Sequence, residues 1–303
     1  MRYGLIVAGQ GQQHARTLRW LDDTEHTGLL HRHLGPDWRT RMADADGLQR
    51  NAVAQPLLTG LSLCAWQALA AHGLPAPAVV AGYSVGELAA FCVAGVFDAD
   101  TAMELAQQRA DAMDRASTGR ETGLLGVSGL PDADIATLCD ANGLEIAIRS
   151  GPGAVVLGGQ RAALRRAASA TQARGGHATA LPIALASHTT WMRDAATAFA
   201  AQLRERAFHR PTTVLLGNHT GQRLTGADAA RQALAHQVDH VVRWDEAMTA
   251  MAERGVRCVL EIGAGCALAR QWNTRFAGIA ARAADEFHGV AAVRDWVARH
   301  AAD

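Results

Sequence analysis

Between Ala78 and Gly95 the chain reads AVVAGYSVGELAAFCVAG. This pattern predicts a short apolar strand over Ala78–Ala81, a turn at Gly82-Tyr83-Ser84-Val85-Gly86 and a helix from Glu87. The rest of the chain is organised around this turn. Small residues are required two positions before and after the serine, here Gly82 and Gly86, and its hydroxyl is lifted above the strand ends. The N–H of Val85 then stands at a helix N-terminus, where unpaired donors and the positive dipole end can hold an oxyanion. Two readings compete for these five residues: a nucleophile elbow, or an ordinary strand-turn-helix in which Ser84 caps the helix. The flanking chain favours catalysis.

With 303 residues, the chain can bury one large core, or a core plus a smaller subdomain. Its 29 basic and 29 acidic side chains cancel, so charge supplies no case for a nucleic-acid or membrane-surface partner. All the basic side chains except histidine are arginine. The lack of lysine excludes Schiff-base chemistry and a P-loop lysine. Cys64, Cys92, Cys139, Cys258 and Cys266 are odd in number and form no C-x-x-C pair. They read as reduced, mostly buried small hydrophobes of a cytoplasmic protein. The apolar run near the start is only about six residues long, too short for a signal peptide or a membrane span.

Tyr3–Ala8 has a buried-strand pattern and runs into Gly9-Gln10-Gly11-Gln12-Gln13, where glycines allow a close backbone approach to a ligand. A dinucleotide fingerprint needs a third glycine, and His14 stands in its place. Residues 14–52 read as helical and rich in Arg, His and Asp, as expected of a solvated face. His31-x-His33 has no third ligand at metal spacing, so no metal is expected. Gln55-Pro56-Leu57-Leu58 is expected to open an apolar helix that ends near His72, before Pro75 and Pro77.

In the next helix, about Asp100 to Ser117, one residue is out of place. At about 100° per residue, Ala102, Leu105, Ala106, Ala110 and Met113 form the apolar face, and Arg109 points with them. A guanidinium on a buried face is costly unless an anion or carbonyls meet it. It is either a structural arginine paired with a buried carboxylate, or a two-pronged clamp for a substrate carboxylate.

Residues 121–183 follow a different rhythm, strand-helix-strand-strand-helix-strand, which is the ferredoxin-like order. They read as a subdomain inserted into a body made of residues 1–120 and 184–303, covering one wall of a cleft. The body resumes at Ala184–Thr190 and enters a helix near Trp191. His188 lies at that loop-to-helix junction, as a general base for Ser84 or as a simple helix cap. Thr213–Gly217 and Arg257–Ile262 complete the strands visible in the pattern, and Gly263-Ala264-Gly265 turns the last one into a helix.

Taken together, these stretches resemble the malonyl-CoA:acyl-carrier-protein transacylase family from about Tyr3 to about Arg275. The resemblance is carried by Gly9-Gln10-Gly11-x-Gln13, Gln55-Pro56-x-Leu58, Gly82-Tyr83-Ser84-Val85-Gly86-Glu87, Arg109, Ser187-His188, Val242-x-Trp244 and Glu261-Ile262-Gly263-x-Gly265. Each is weak alone, and their order and spacing make them specific. The family has an α/β-hydrolase-like parallel-sheet body with a ferredoxin-like insert. By resemblance Ser84 is the nucleophile and His188 its base. The N–H groups of Gln10 and Val85 form the oxyanion hole, Arg109 binds the malonyl carboxylate, and the main-chain carbonyl of Gln237 orients the histidine. The resemblance also implies an acyl carrier protein as partner and no permanently bound cofactor, with malonyl-CoA as acyl donor.

Three departures touch the rim of this pattern. Val7-Ala8 replaces the usual Phe-Pro, Gln12 the usual serine, and Tyr83 the usual histidine of the elbow. The Gly-Tyr-Ser-Val-Gly-Glu form looks most like the transacylase subunit of malonate decarboxylase, which implies the other subunits of that enzyme as further partners. The fatty-acid-synthesis transacylase is the alternative within the family. A serine esterase or thioesterase is the alternative outside it, and that class normally adds an acid to orient its base. A carrier-docking protein without catalysis would have no use for intact Ser84, Arg109 and His188.

Overall fold

The computed structural model describes residues 1–44 and 46–302. In chain order the elements are β1 (Tyr3–Val7), α1 (Gly28–Leu34), α2 (Trp38–Arg41), α3 (Asn51–Ala71), β2 (Val79–Gly82), α4 (Gly86–Val93) and α5 (Ala99–Ser117). Then come β3 (Thr122–Ser128), α6 (Asp132–Asn142), β4 (Glu145–Gly151), β5 (Ala154–Gln160), α7 (Arg161–Ala173) and β6 (His177–Ala180). The remainder holds α8 (Arg193–Arg204), β7 (Val214–Leu216), β8 (Arg223–Leu224), α9 (Ala227–His236), β9 (Val242–Arg243) and α10 (Trp244–Ala252). It ends with β10 (Cys258–Ile262), α11 (Ala267–Arg275), β11 (Ala280–Ala283) and α12 (Val290–His300).

One sheet has the order β11-β10-β1-β2-β7-β8. Its neighbours pair in parallel except for the terminal β7–β8 pair. The central strands read as unbroken apolar runs because both faces are covered. Tyr3, Leu5 and Val7 of β1 face a core shared with α3, α4, α5 and α8, while Ile6 faces the opposite core with Trp244, Met248 and Trp272. The second sheet has the order β6-β3-β5-β4-β9. Its β3–β6 part has the ferredoxin-like order with antiparallel pairing, and β9 adds a parallel edge strand from later in the chain. One side of this sheet packs on α6 and α7. Leu124, Ile148 and Val156 on the other side join the core below the first sheet.

The structure corrects several boundaries. The described part of residues 14–52 forms short helical pieces joined by turns. Helix α3 begins at Asn51, four residues before Gln55, and Pro56 lies inside it. Asn51 Nδ2 donates to Asp114 Oδ1 of α5 at 2.7 Å, so a tertiary contact holds the start that proline was expected to mark. The C-terminal tail, amphipathic but otherwise silent in sequence, supplies an edge strand and α12, which buries Val293 and Val297 on the core. Glu261 accepts from Ala269 N at 2.7 Å and from Leu268 N at 3.4 Å, capping α11 across the Gly263–Gly265 turn. Burial pushes its carboxyl up to about 8, against the pull of those two N–H groups.

Candidate active site

Ser84 stands at φ 55°, in the left-handed region, between β2 and α4. The turn that holds it there has no room for side chains on its two glycines. A Cβ on Gly82 would fall 2.2 Å from the Gly86 carbonyl carbon, and one on Gly86 would fall 2.5 Å from Val7 O. The elbow is thus packed against the end of β1, as Gly-x-Ser-x-Gly requires. His188 also has a positive φ, 64°, and its main-chain N–H donates to Val238 O at 3.0 Å.

These two strained residues meet. Ser84 Oγ and His188 Nε2 are 2.7 Å apart, and His188 Nδ1 lies 2.5 Å from the main-chain oxygen of Gln237. A carbonyl oxygen can only accept, so Nδ1 carries the proton and Nε2 is left to accept from the serine hydroxyl. Burial drives the His188 pKa down to about 3, the Arg109 charge adds to that, and the Gln237 carbonyl opposes it. The imidazole is therefore neutral, and able to take a proton, throughout the physiological range. Its sign in stability follows. An unfolded histidine binds a proton below about 6.5, while the folded one resists until about 3. Across that window the unfolded chain holds more protons, and His188 costs stability as pH falls.

We predict from this that labelling of Ser84 by a serine-directed fluorophosphonate keeps its rate from pH 8 down to about 5. An acid limb centred near 6.5 would show that the base is an ordinary exposed histidine.

The N–H groups of Gln10 and Val85 both border the same cleft, and neither donates to another described group. Val85 precedes α4, so its N–H points out of the helix start. The cleft has a volume of about 420 Å³ and lies between the ends of β1 and β2 and the second sheet. Leu124, Ile148 and Val156 line its far wall.

Arg109 reaches this cleft from α5 and is 1% exposed. Its Nη1 donates to Gln55 Oε1 at 2.7 Å and its Nη2 to Gln237 Oε1 at 2.8 Å, while Nε has no partner among the described residues. No carboxylate lies within ion-pair distance of it among the described residues. Burial lowers its pKa to about 10, with Glu87 pulling the other way, so it remains a cation at neutral pH. The arrangement is a buried positive charge held by two neutral amide oxygens, beside a serine and its base. Such an arrangement can receive a small anion carried on an electrophile.

Ser84 and Val85, neighbours in the elbow, are thus brought together with Gln10, Arg109, His188 and Gln237 from distant parts of the chain. The residue that sequence reasoning missed is Asn218, just beyond β7, whose Oδ1 accepts from Ser84 N at 2.8 Å. Gln55 was visible only as a motif letter and Gln237 only for its main-chain carbonyl, by resemblance, without their side-chain contacts to Arg109. Of the other candidates, His33 Nε2 is engaged by Asp100 at 2.7 Å and His31 packs on Trp38. No group of three or more potential ligands stands ready for a metal among the described residues. The five cysteines are all unpaired.

Residues 32–283 match the family model described as the acyl transferase domain. The chain is 33% identical over 231 residues to the malonyl CoA-acyl carrier protein transacylase of Escherichia coli O157:H7, which covers 75% of each chain. It superposes on the crystal structure of MCAT from Mycobacterium tuberculosis with a TM-score of 0.88 and 30% identity, over 97% of this chain and 100% of that one. A type II PKS acyl-carrier protein in complex with its malonyl-transacylase also matches, with a TM-score of 0.91 and 26% identity, covering 97% of this chain and 99% of that one.

Proposed function

The chain belongs to the malonyl CoA-acyl carrier protein transacylase family of acyl transferases, and we propose that it moves a malonyl group from malonyl-CoA to the thiol of an acyl carrier protein. The chemistry is two acyl transfers through one site. His188 Nε2 takes the Ser84 proton as Oγ attacks the thioester carbonyl, and the N–H groups of Gln10 and Val85 receive the oxyanion. The C–S bond breaks, CoA leaves with the proton, and a malonyl ester remains on Ser84. The carrier thiol then gives its proton to His188 and attacks the ester. The C–O bond breaks, and the proton returns to Ser84.

The observation that carries this reading is Arg109, a buried cation in the Ser84 cleft with no carboxylate of the described residues within ion-pair distance. A malonyl group brings that carboxylate, and an acetyl group would leave the guanidinium without it. Hydrolysis is the less favoured reading, because His188 rests on a main-chain carbonyl where esterases place an acid. The carrier we propose is the prosthetic-group subunit of a malonate decarboxylase. Support comes from the Gly-Tyr-Ser-Val-Gly-Glu form of the elbow, in which Tyr83 lines the cleft and packs edge-on against the buried Trp244.

Arg109→Ala tests the clamp. It should lose a charge-assisted pair of about 1.5–3 kcal/mol, which is at least about tenfold in malonyl transfer. Acetyl transfer should hold or improve, and Arg109→Lys should recover activity only in part, for want of the two-pronged geometry. Equal losses with both acyl groups, together with a large fall in melting temperature, would reduce Arg109 to a structural role.

A further inference from the structure

Strand β7 stops at Leu216, but its hydrogen-bonding to β2 does not. The two strands run parallel in the register Val79↔Val214, Val80↔Leu215 and Ala81↔Leu216, which would set Tyr83 opposite Asn218. In a parallel ladder, one residue accepts from the N–H after its partner and donates to the C=O before it. The side chain of Asn218 does both. Its Oδ1 accepts from Ser84 N at 2.8 Å, and its Nδ2 donates to Gly82 O. A side-chain amide thus stands in for a peptide group and carries the ladder past the end of the strand, up to the nucleophile.

Asn218 is itself held at both main-chain ends. Its N–H donates to Glu87 Oε1 at 2.6 Å, and its carbonyl accepts from Arg243 N at 2.8 Å. All of its polar groups are used, and both Asn218 and Glu87 are fully buried. Glu87 lies in the first turn of α4, three residues after Ser84, so the elbow's own helix supplies the support for the residue that clamps the elbow. The other carboxyl oxygen of Glu87 has no partner among the described residues. Through Oε1 it serves this network as the acceptor of the Asn218 N–H.

We propose that Glu87 and Asn218 are a pair of positioning residues that hold Ser84 in its left-handed conformation, with Oγ aimed at His188 Nε2. The inference rests on Ser84 being the acylated residue. A left-handed φ is unfavourable for any residue with a Cβ and persists only where its surroundings over-determine it. Without the clamp, Ser84 can relax toward ordinary φ values, and its Oγ leaves the 2.7 Å approach to His188.

The test is the single-turnover rate of Ser84 malonylation, read by quenched mass spectrometry across malonyl-CoA concentrations. Asn218→Ala should slow acylation by about 10²-fold, the scale of an ångström-level misplacement, with half-saturation changed by less than about threefold. Glu87→Leu should slow it similarly. Glu87→Gln keeps an oxygen for the Asn218 N–H and should stay within about threefold of wild type. The double variant Asn218→Ala/Glu87→Leu should be no slower than the worse single one, since the two act as one unit. A wild-type rate in Asn218→Ala, a change confined to half-saturation, or multiplied losses in the double variant overturns the proposal. If Asn218→Ala does not fold, Asn218→Asp is read instead. It still accepts from Ser84 N but cannot donate to Gly82 O, so a loss of at least about tenfold is expected and a wild-type rate overturns the pair. Absence of any Ser84 adduct in the wild type would strike the transacylase reading instead, so the two failures are distinct.

Discussion

Incubated with malonyl-CoA and no acceptor, the wild-type protein should gain the mass of one malonyl group, and Ser84→Ala should gain none. A ping-pong enzyme completes its first half-reaction alone, so the acyl-enzyme accumulates when nothing removes it. The geometry makes Ser84 the place for it. Its hydroxyl is 2.7 Å from a neutral imidazole, at the start of α4, with two unengaged N–H groups bordering the same cleft. Overall transfer in Ser84→Ala should fall by on the order of 10⁶-fold, the scale seen when a covalent nucleophile is removed. Peptide mapping decides the assignment. A malonyl group found on Cys92 or Cys266, the two cysteines that are not buried, would sink the serine mechanism. So would acylation that persists in Ser84→Ala.

The second large effect belongs to His188. His188→Ala should slow both half-reactions by roughly 10²–10⁴-fold, the worth of a positioned general base. Both steps should suffer because, in the proposed mechanism, the same nitrogen takes the proton first from Ser84 and then from the carrier thiol. Stopped-flow release of CoA reports the first step, and discharge of isolated malonyl-enzyme by the carrier reports the second. Loss in only one of the two would mean that the other step uses a different base. Unchanged rates in both would pass the role to another of the 13 histidines. The melting temperature serves as the control. His188 is buried at a cost below pH 6.5, so its removal should lessen acid sensitivity rather than create it.

The elbow was legible because its chemistry is local. Gly82 and Gly86 can be nothing larger when a Cβ on either would strike main-chain atoms, so the glycines announce the turn. The four strands and two helices between Thr122 and Ala180 were legible for a similar reason. Each carries its own period, and their order alone names the ferredoxin-like pattern. Arg109 stood out as a charge on an apolar helical face, and it is buried on that face. The start of α3 was misplaced at Gln55 because proline usually marks a first turn. Here the contact of Asn51 with Asp114, made across two helices, extends the helix backward.

What the sequence determined by itself was therefore whatever a residue's own shape, charge or period dictates: the tight turn, the ferredoxin-like order of strands and helices, and the misfit arginine. Tertiary structure alone decided how these parts are held for chemistry. The group that orients His188 is a main-chain carbonyl, and every residue has one, so the letter at position 237 does not announce it and only the family resemblance pointed there. The Gln237 side chain that links Arg109 to the Ser84 carbonyl, and the Asn218 amide that prolongs a strand, are common polar residues with ordinary roles in loops and caps. Their work depends on distances across 153 and 134 positions of chain, and those distances exist only once the strands have paired.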